Sequence, residues 1–322
     1  MKILITGSTG FVGSHLVQAC LEQGYEVRAF ARYNSMNRAG WIDTLENRSD
    51  IDVIFGDIRD FDSVKSAMLG VDGVFHLAAL IGIPYSYISP LAYIRTNVEG
   101  TYNVLQAARD LNTENIIVTS TSETYGSAQY VPMDERHPMV GQSPYSASKI
   151  SADNLAVSYY RSFNTPVKIA RPFNVFGPRQ SARAIIPSII IQILAGKREI
   201  SLGNTNTTRD LTFVGDTVSG FLKIFQETSF NGEYVNIGVN KEISIADLVA
   251  LIARLMNVDI QIVTEDIRIR PSKSEVDNLR CDSTKLNQVT NWTPSHSLSE
   301  GLLETIRWFE VNQSLYRDIY NV

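Results

Sequence analysis

Two side chains separated by four positions could carry out proton transfer near neutral pH. Tyr145 and Lys149, in the segment YSASK, share one face of a helix if this segment is helical. The ammonium group of Lys149 would lower the pKa of the Tyr145 phenol, which could then act as a general base. Because the pattern Tyr-x-x-x-Lys is common in unrelated proteins, its meaning depends on the elements that surround it.

A second group of polar side chains lies in TSTSETYG, at positions 119–126, directly after an apolar run. If that run is a central parallel strand, Thr121 lies at its carboxyl end, where such sheets bind ligands, and its hydroxyl could hold a substrate oxygen. Glu123 would add a carboxylate for a second proton transfer, with a surface acid at a strand end as the alternative. Ser122, between them, cannot donate a proton as a carboxylic acid would, because its pKa lies far above neutral.

The first half of the chain alternates between strand and helix patterns. Short, nearly continuous apolar segments are separated by amphipathic ones, which is typical of a parallel sheet covered by helices on both faces. The predicted strands lie at 2–6, 26–30, 52–55, 73–77 and 115–119, and the predicted helices at 11–23, 61–69 and 92–111. The pattern therefore predicts an α/β fold with a doubly wound, parallel Rossmann sheet.

A glycine-rich turn, GSTGFVG, joins the first predicted strand to the first predicted helix. Glycines in such a turn let the backbone bend tightly and approach a pyrophosphate, and the helix N-terminus adds partial positive charge. A tight turn that holds no ligand is the alternative. We expect a dinucleotide cofactor to contact a set of residues in this turn, namely Gly7, Gly10, Phe11, Val12 and Gly13.

Residues at the ends of the next strands would contact other parts of this cofactor. Arg32 lies at the carboxyl end of the second predicted strand, in Phe30-Ala-Arg32-Tyr33, where sites that prefer NAD usually carry a carboxylate. A guanidinium there favours a 2′-phosphate, so NADP is our first choice and NAD the alternative, although Arg32 could be an ordinary surface charge. The other expected cofactor contacts are Asp57, Ile58, Leu77, Ala78, Ala79, Tyr145 and Lys149.

The alternation of strands and helices changes after about residue 172, where prolines and mixed segments begin. We assign 1–172 to the dinucleotide-binding Rossmann domain, with a strand, a helix and a second strand returning to its sheet at about 211–238. The segments 173–210 and 239–322 would form a smaller, discontinuous lobe that binds the substrate. In this lobe Ser297 and Glu300 have capping-box spacing at the start of the last predicted helix.

The composition excludes several classes of protein. With 322 residues, 20% charged residues and a formal charge of −5, the chain is globular and lacks the basic field that holds nucleic acid. No apolar segment reaches the roughly 20 residues that cross a bilayer, and the first residues do not form a signal-peptide pattern. Two distant cysteines and four scattered histidines suggest no metal site. We expect a cytoplasmic protein without nucleic acid, membrane or metal as a partner.

Taken together, these motifs resemble the extended short-chain dehydrogenase/reductase superfamily over nearly the whole chain. The matching segments, in order, are GSTGFVG, GDIR, HLAA, NVEGT, TSTSETYG, YSASK, RPFNVFGPR and TRDLTFVGD. The resemblance implies a nucleotide-sugar substrate, a tightly held nicotinamide that oxidises a sugar hydroxyl, and a shared catalytic set of Thr121, Tyr145 and Lys149. It also implies a C2 homodimer in which the helices around 92–111 and 145–163 pair with their symmetry mates.

Within this family, 4-epimerases need only the shared set, whereas 4,6-dehydratases also need a base for the C5 proton and an acid for the departing hydroxyl. Glu123 occupies the position where the dehydratases carry a glutamate, and Ser122 the position where many carry an aspartate. The Thr-Ser-Glu version resembles GDP-mannose-type dehydratases and those of the legionaminic-acid pathway, whose substrate is an N-acetylglucosamine nucleotide. Ser122 and Glu123 complete our catalytic set, with Glu123 acting first as base and then as acid.

The resemblance therefore predicts a nucleotide-sugar 4,6-dehydratase that converts an NDP-N-acetylglucosamine, with UDP favoured over GDP, to its 4-keto-6-deoxy product. The alternatives are an NDP-hexose 4-epimerase, a dehydratase that releases a 5,6-unsaturated sugar and, more remotely, a nonenzymatic dinucleotide sensor. By the same resemblance, Asn174, Arg209 and Arg270 would bind the diphosphate, because arginine can donate two hydrogen bonds to a phosphate. Arg183 is a weaker candidate that could instead be a packing or interface charge.

Overall fold

The computed structural model describes residues 1–268, 271, 274–276 and 278–316. The strands among these residues are β1 (Lys2–Thr6), β2 (Glu26–Arg32), β3 (Ile51–Gly56), β4 (Gly73–His76), β5 (Asn115–Thr119), β6 (Val167–Pro172), β7 (Asn174–Phe176), β8 (Glu199–Leu202), β9 (Thr208–Phe213), β10 (Tyr234–Ile237), β11 (Glu242–Ser244), β12 (Gln261–Thr264) and β13 (Asn278–Leu279). The α-helices are α1 (Phe11–Glu22), α2 (Phe61–Met68), α3 (Ile83–Ile88), α4 (Pro90–Tyr93), α5 (Gly100–Leu111), α6 (Pro144–Phe163), α7 (Ile185–Leu194), α8 (Val214–Gln226), α9 (Ile245–Leu255), α10 (Thr284–Thr290) and α11 (Leu298–Val311).

Seven parallel strands form the central sheet, in the order β10-β6-β5-β4-β1-β2-β3. Helices α1 and α8 pack on one face of this sheet, and α2, α5 and α6 pack on the other. Side chains alternate between the two faces: Ile3 and Ile5 join the core under α1, whereas Leu4 joins the core under α2 and α5. Because both faces are covered, apolar residues predominate in the central strands. The predicted doubly wound α/β fold is confirmed.

The part of the chain after β6 forms two smaller sheets in addition to the central one. Strand β9 pairs with β7, β11 and β13, and β8 pairs with β12. Our expectation that the strand near 211 returns to the central sheet is wrong, because β9 lies in the smaller sheet that it forms with β7, β11 and β13. Helix α8 and strand β10 do return to the central sheet as expected. The division of the chain into two domains stays a prediction.

Two further sequence features have a clear structural counterpart. Ser297 and Glu300 form the capping box that starts α11: Ser297 Oγ accepts from the Glu300 amide at 3.3 Å, and Glu300 Oε2 accepts from the Ser297 amide at 2.8 Å. Cys20 and Cys281 are free and buried. Over the described part of the chain, no helix combines the length and the apolar character that a membrane span requires.

The turn between β1 and α1 depends on Gly7. Its φ is +69°, and a Cβ built there would lie 2.7 Å from the Ala78 amide nitrogen and 2.8 Å from the Leu77 carbonyl carbon. The Gly7 carbonyl accepts from the Gly10 amide at 3.1 Å, which closes the turn. The backbone that follows β4 therefore passes directly against the turn, with no space for a side chain.

Gly24 offers a matched control for this close approach, because its φ is +76° and a Cβ there would meet nothing within 4 Å. We expect Gly24→Ala to lower the free energy of unfolding by roughly 1–2 kcal/mol, the cost of a left-handed backbone with a side chain. Gly7→Ala should cost about 2 kcal/mol more, because the methyl group also displaces backbone. Urea titrations followed by circular dichroism measure both values, and equal losses would contradict the close approach.

Candidate active site

A cavity of about 1090 Å³ lies at the carboxyl ends of the central strands. Such an edge is where open parallel sheets bind ligands. Nearly all of our predicted cofactor residues line it, namely Gly7, Gly10, Phe11, Val12, Gly13, Arg32, Asp57, Ile58, Leu77, Ala78, Ala79 and Tyr145. The other predicted residues that line it are Thr121, Ser122, Glu123, Asn174, Arg183 and Arg209. The structure thus brings together residues that are spread over two hundred positions of the chain.

The glycine turn leaves room for a phosphate group at one end of this cavity. Helix α1 begins after Gly10, and no side chain caps its first turn, so its amides are open toward the cavity wall. Gly13 packs the helix onto the turn: a Cβ there would lie 2.2 Å from the Gly7 carbonyl oxygen. The residues present therefore fit a dinucleotide, whose pyrophosphate needs both the amides and the close backbone approach.

Arg32 and Asp57 face each other where the cofactor's adenosine would lie. The pKa of Asp57 is lowered, mainly by its hydrogen bonds with Arg59 and to a smaller extent by the charge of Arg32. Asp57 is thus ionised and carries a negative charge beside Arg32. Arg59 pairs with this carboxylate at 2.5 Å, so Asp57 offsets the positive charge of Arg32 only in part.

Segment 77–80, after β4, is fixed from two sides. The buried His76 connects Thr6 of β1 with Thr101 of α5, at Nδ1–Oγ1 and Nε2–Oγ1 distances of 2.8 and 3.0 Å. Burial and the charge of Lys149 lower the pKa of His76 to about 3, so this ring is neutral. Thr6 Oγ1 also accepts from the Ala78 amide, which holds the backbone against the glycine turn.

Asn97 holds the other side of segment 77–80. In the sequence it stands out only as the first residue of the motif NVEGT. It lies in a π-helical turn, Ile94–Glu99, between α4 and α5. Its side chain exchanges two hydrogen bonds with the backbone of Leu80, at 2.8 and 2.9 Å, and donates to Ser148 Oγ at 2.9 Å. Asn97 therefore joins the cavity wall to α6 next to Lys149. π-Helical turns are often found at functional sites, but this one is recognised from the structure and not from the sequence.

Tyr145 and Lys149 lie on the buried face of α6, one turn apart. The Lys149 ammonium donates to the Thr119 carbonyl at 2.5 Å, and the Thr121 hydroxyl is hydrogen-bonded to Tyr145. Burial raises the pKa of Tyr145, an effect that Glu123 and Tyr93 increase and the bond with Thr121 opposes. Burial lowers the pKa of Lys149. That Lys149 lowers the pKa of Tyr145 stays a prediction.

Glu123 lies in the 3-10 turn Ser122–Thr124, directly after β5. Thr121 caps this turn, because its Oγ1 accepts from the Glu123 amide at 3.3 Å. The same hydroxyl group therefore contacts both Glu123 and Tyr145, and the negative charge of Glu123 acts on the Tyr145 phenol. A carboxylate, a phenol and a hydroxyl thus share one wall of the cavity, which is the set that two successive proton transfers require.

Three of the four predicted diphosphate residues line the same cavity, namely Asn174, Arg183 and Arg209. Arg209 donates to Glu275 at 3.3 Å and to the Thr208 carbonyl at 2.8 Å. The Asn174 Oδ1 atom is buried, with no hydrogen-bond partner among the described residues. Arg183 is exposed at the cavity rim. Arg270 lies outside the described residues. No three His, Cys, Asp or Glu side chains in the described ranges form a potential metal site.

Sequence reasoning missed a buried ion pair behind this site. Arg171 of β6 donates to Asp153 of α6 at 2.8 Å, and both side chains are at most 1% exposed. Charged residues at 168 and 171 inside an apolar strand were the available signal, because a charge in a covered sheet requires a partner.

Known proteins with similar sequences cover the whole chain. A dTDP-glucose 4,6-dehydratase of Streptomyces antibioticus is 29% identical, covering 99% of this chain and 95% of that protein. A UDP-N-acetyl-alpha-D-glucosaminuronate decarboxylase of Bacillus cytotoxicus is 31% identical, covering 96% of this chain and 97% of that protein. Both relatives act on nucleotide sugars by name.

Solved structures agree over the same length. A dTDP-glucose 4,6-dehydratase from Streptomyces venezuelae with NAD bound has a TM-score of 0.89 and 27% identity, covering 98% of this chain and 99% of that one. A UDP-glucuronic acid 4-epimerase from Bacillus cereus, in complex with UDP-glucuronic acid and NAD, has a TM-score of 0.89 and 29% identity, covering 98% and 100%. Both hold NAD, so these structures do not support our first choice of NADP.

The family described as "GDP-mannose 4,6 dehydratase" matches residues 4–305 of the chain. This match includes the glycine turn, the TSTSETYG segment and the Tyr145–Lys149 pair, which together line or adjoin one cavity. Dehydratases and epimerases both occur among the similar proteins. The chain therefore belongs to the GDP-mannose 4,6-dehydratase family, and is an enzyme of the NAD-dependent nucleotide-sugar dehydratase and epimerase group of extended short-chain dehydrogenases/reductases.

Proposed function

We propose that this protein is a nucleotide-sugar 4,6-dehydratase that makes a 4-keto-6-deoxy sugar from an NDP-N-acetylglucosamine. The observation that carries this proposal is the position of Glu123, which shares a cavity wall with Tyr145 and is capped by Thr121. A 4-epimerase needs no such carboxylate, whereas elimination of water needs a group that accepts the C5 proton and returns one to the leaving hydroxyl.

The residues of the chain would divide the proton transfers between them. Thr121 and Tyr145 bind the C4 hydroxyl, and the Tyr145 oxygen accepts its proton. Glu123 accepts the C5 proton, which the adjacent C4 ketone makes acidic, and then protonates the hydroxyl that leaves C6. Bound dinucleotide supplies the redox chemistry by taking up and later returning two electrons. Lys149, one helical turn from Tyr145, is held next to it by its hydrogen bond to the Thr119 carbonyl.

The choice of sugar and nucleotide rests on sequence resemblance. GQSPYSASK and RPFNVFGPRQSARAIIP resemble the legionaminic-acid pathway dehydratases, and this favours a 2-acetamido sugar with UDP before GDP. Asn174, Arg183 and Arg209 line the wall where the diphosphate would bind. The runner-up is a 4-epimerase, which the similarity to the Bacillus cereus enzyme supports. A dehydratase that releases a 5,6-unsaturated sugar differs only in its last step.

One variant tests the assignment of Glu123. Incubated separately with UDP-GlcNAc and GDP-GlcNAc, the wild-type protein should yield a product that mass spectrometry finds lighter by one water. Glu123→Gln should lower this turnover about a hundredfold or more, since it lacks the base and the acid. It should still reduce its bound dinucleotide transiently, as followed by absorbance, because that step uses Thr121 and Tyr145.

The control for this variant lies at the other end of the same strand. Glu114 is exposed and directly precedes β5, so Glu114→Gln should dehydrate at the wild-type rate. Wild-type turnover in Glu123→Gln would refute the role of Glu123. An unchanged substrate mass with both nucleotide sugars in the wild-type protein would point to the epimerase instead.

We propose NAD as the cofactor, as in the two similar structures. Dinucleotide released from the purified protein by denaturation should be NAD when identified by mass spectrometry. Arg32→Ala should release NAD as well, because no 2′-phosphate depends on that guanidinium. NADP in the wild-type protein, lost in Arg32→Ala, would restore our first choice.

We also propose a homodimer in the cytoplasm. Leu91, Ile94 and Tyr102, on α4, α5 and the turn between them, are 55%, 53% and 44% exposed, which is unusual for large apolar side chains on one helical segment. Free, buried Cys20 and Cys281 suit a reducing compartment.

Substitution of this segment tests the homodimer. Leu91→Glu combined with Tyr102→Glu should convert a dimer into a monomer in sedimentation velocity, because charges would be buried without partners at the interface. Val311→Glu, at an 84% exposed residue of α11, is the control that should stay dimeric. A monomeric wild-type protein would contradict the proposal.

A further inference from the structure

A buried network connects helix α6 with the ends of β5 and β6. Asp153 Oδ2 accepts from Ser120 Oγ at 2.5 Å and from Arg171 Nη2 at 2.8 Å, and Arg171 Nε donates to the same Ser120 oxygen at 3.3 Å. The Asp153 side chain is 0% exposed and that of Arg171 1%. Removing charges from water at such a site is costly, so the network constrains both elements.

The network lies directly behind the proposed catalytic residues. Ser120 separates Thr119, whose carbonyl accepts from Lys149, and Thr121, whose hydroxyl contacts Tyr145. On α6, Tyr145, Lys149 and Asp153 follow one another at four-residue spacing, so they occupy one buried stripe of the helix. Asp153 therefore binds the middle of the three-residue segment that both catalytic side chains touch.

Arg171 is itself fixed in place, which leaves Asp153 with little freedom. The guanidinium makes two cation–π contacts, because it lies 4.5 Å from the ring centroid of Tyr125 and 4.5 Å from that of Tyr234. Tyr125 in turn donates to Asn236 Oδ1 at 2.8 Å. The second carboxylate oxygen of Asp153 has no hydrogen-bond partner among the described residues, so its negative charge is only partly compensated.

Charged and titratable groups from each packed element surround the Tyr145–Lys149 pair. Besides burial, the groups that raise the pKa of Tyr145 are Glu123, Tyr93 and Asp153, and the bond with Thr121 lowers it. Burial lowers the pKa of Lys149, and Asp153 raises it. The neutral ring of His76, in β4, lies near Lys149. The groups that surround Asp153 are Arg171, Ser120 and Tyr234 of β10.

We propose that Asp153, held by Arg171 and Ser120, is a positioning residue that fixes both the geometry and the electric field of the Tyr145–Lys149 pair. The catalytic use of that pair rests on the proposed function, whereas the network and its field do not. A negative charge on this stripe disfavours the phenolate and favours the ammonium ion. Its removal therefore makes both groups lose their protons at lower pH.

The test is the ionisation of Tyr145, measured by ultraviolet tyrosinate absorbance in pH titrations of each protein and of its Tyr145→Phe counterpart. The difference between the two curves reports Tyr145 alone. In Asp153→Asn we expect this difference curve to move to lower pH by about half a unit or more. Both limbs of the kcat–pH profile should move in the same direction, with the KM for nucleotide sugar little changed.

Lys168 provides the matched control. It lies on β6 like Arg171, is 1% exposed, and donates to Asn115 Oδ1 and the Phe225 carbonyl at 2.9 and 2.8 Å. Lys168→Met should lower the melting temperature without moving the tyrosinate curve. If Asp153→Asn does not fold, Asp153→Asn with Arg171→Met removes both charges and avoids an unpaired buried one. A downward shift smaller than that of the single variant is expected in the double variant, because the positive charge of Arg171, which favours the phenolate, is lost as well.

Two results would overturn the proposal. One is a tyrosinate curve in the folded Asp153 variant that superimposes on the wild-type curve, and the other is an equal shift in Lys168→Met, which would trace the effect to lost stability. A wild-type protein that turns over no nucleotide sugar would refute the proposed function instead, and the absorbance titration would still decide on Asp153.

Discussion

The contact between helix α6 and the carboxyl end of strand β5 is the constraint on which the rest of the site depends. The Lys149 ammonium binds the Thr119 carbonyl, and the Ser120 amide continues the sheet by donating to the Ala170 carbonyl at 2.7 Å. Asn97 holds α6 at the residue next to Lys149, through its hydrogen bond to Ser148. With the helix held at these points, Tyr145 has one position relative to the cavity, and the cofactor and substrate walls are built around it.

Much of the central sheet could be predicted because its information is local. A strand covered on both faces is apolar at most of its positions, so its pattern distinguishes it from a half-exposed strand, in which apolar and polar residues alternate. The pairing of β9 is not local in this way. Its sequence reads as a strand in either sheet, and only the packing of β7, β11 and β13 around it decides which sheet it joins.

The residues of the site likewise fall into those that local sequence predicts and those that depend on distant parts of the chain. Residues at strand ends and in the glycine turn were predictable, because the topology of a parallel sheet puts strand ends at one edge. Asp153 reads in the sequence as an ordinary helix charge, and Arg32 as a phosphate ligand. Their actual surroundings come from residues far along the chain, Arg171 for the first and Asp57 for the second. Electrostatic partners of this kind require the three-dimensional structure.

Burial of the site determines which protonation states of Tyr145 and Lys149 are favoured. A low-dielectric environment favours the neutral form of Tyr145 and of Lys149 alike, so a phenolate forms only where positive charge compensates it. Thr121 connects this equilibrium with the backbone of Glu123, because one hydroxyl contacts both Tyr145 and the Glu123 amide. Glu123 lies in a short turn outside the sheet. The hydrogen bonds of Lys149 to the Thr119 carbonyl and of Asn97 to Ser148 do not involve the Glu123 side chain, so this acid can be replaced without disturbing the contacts that hold α6.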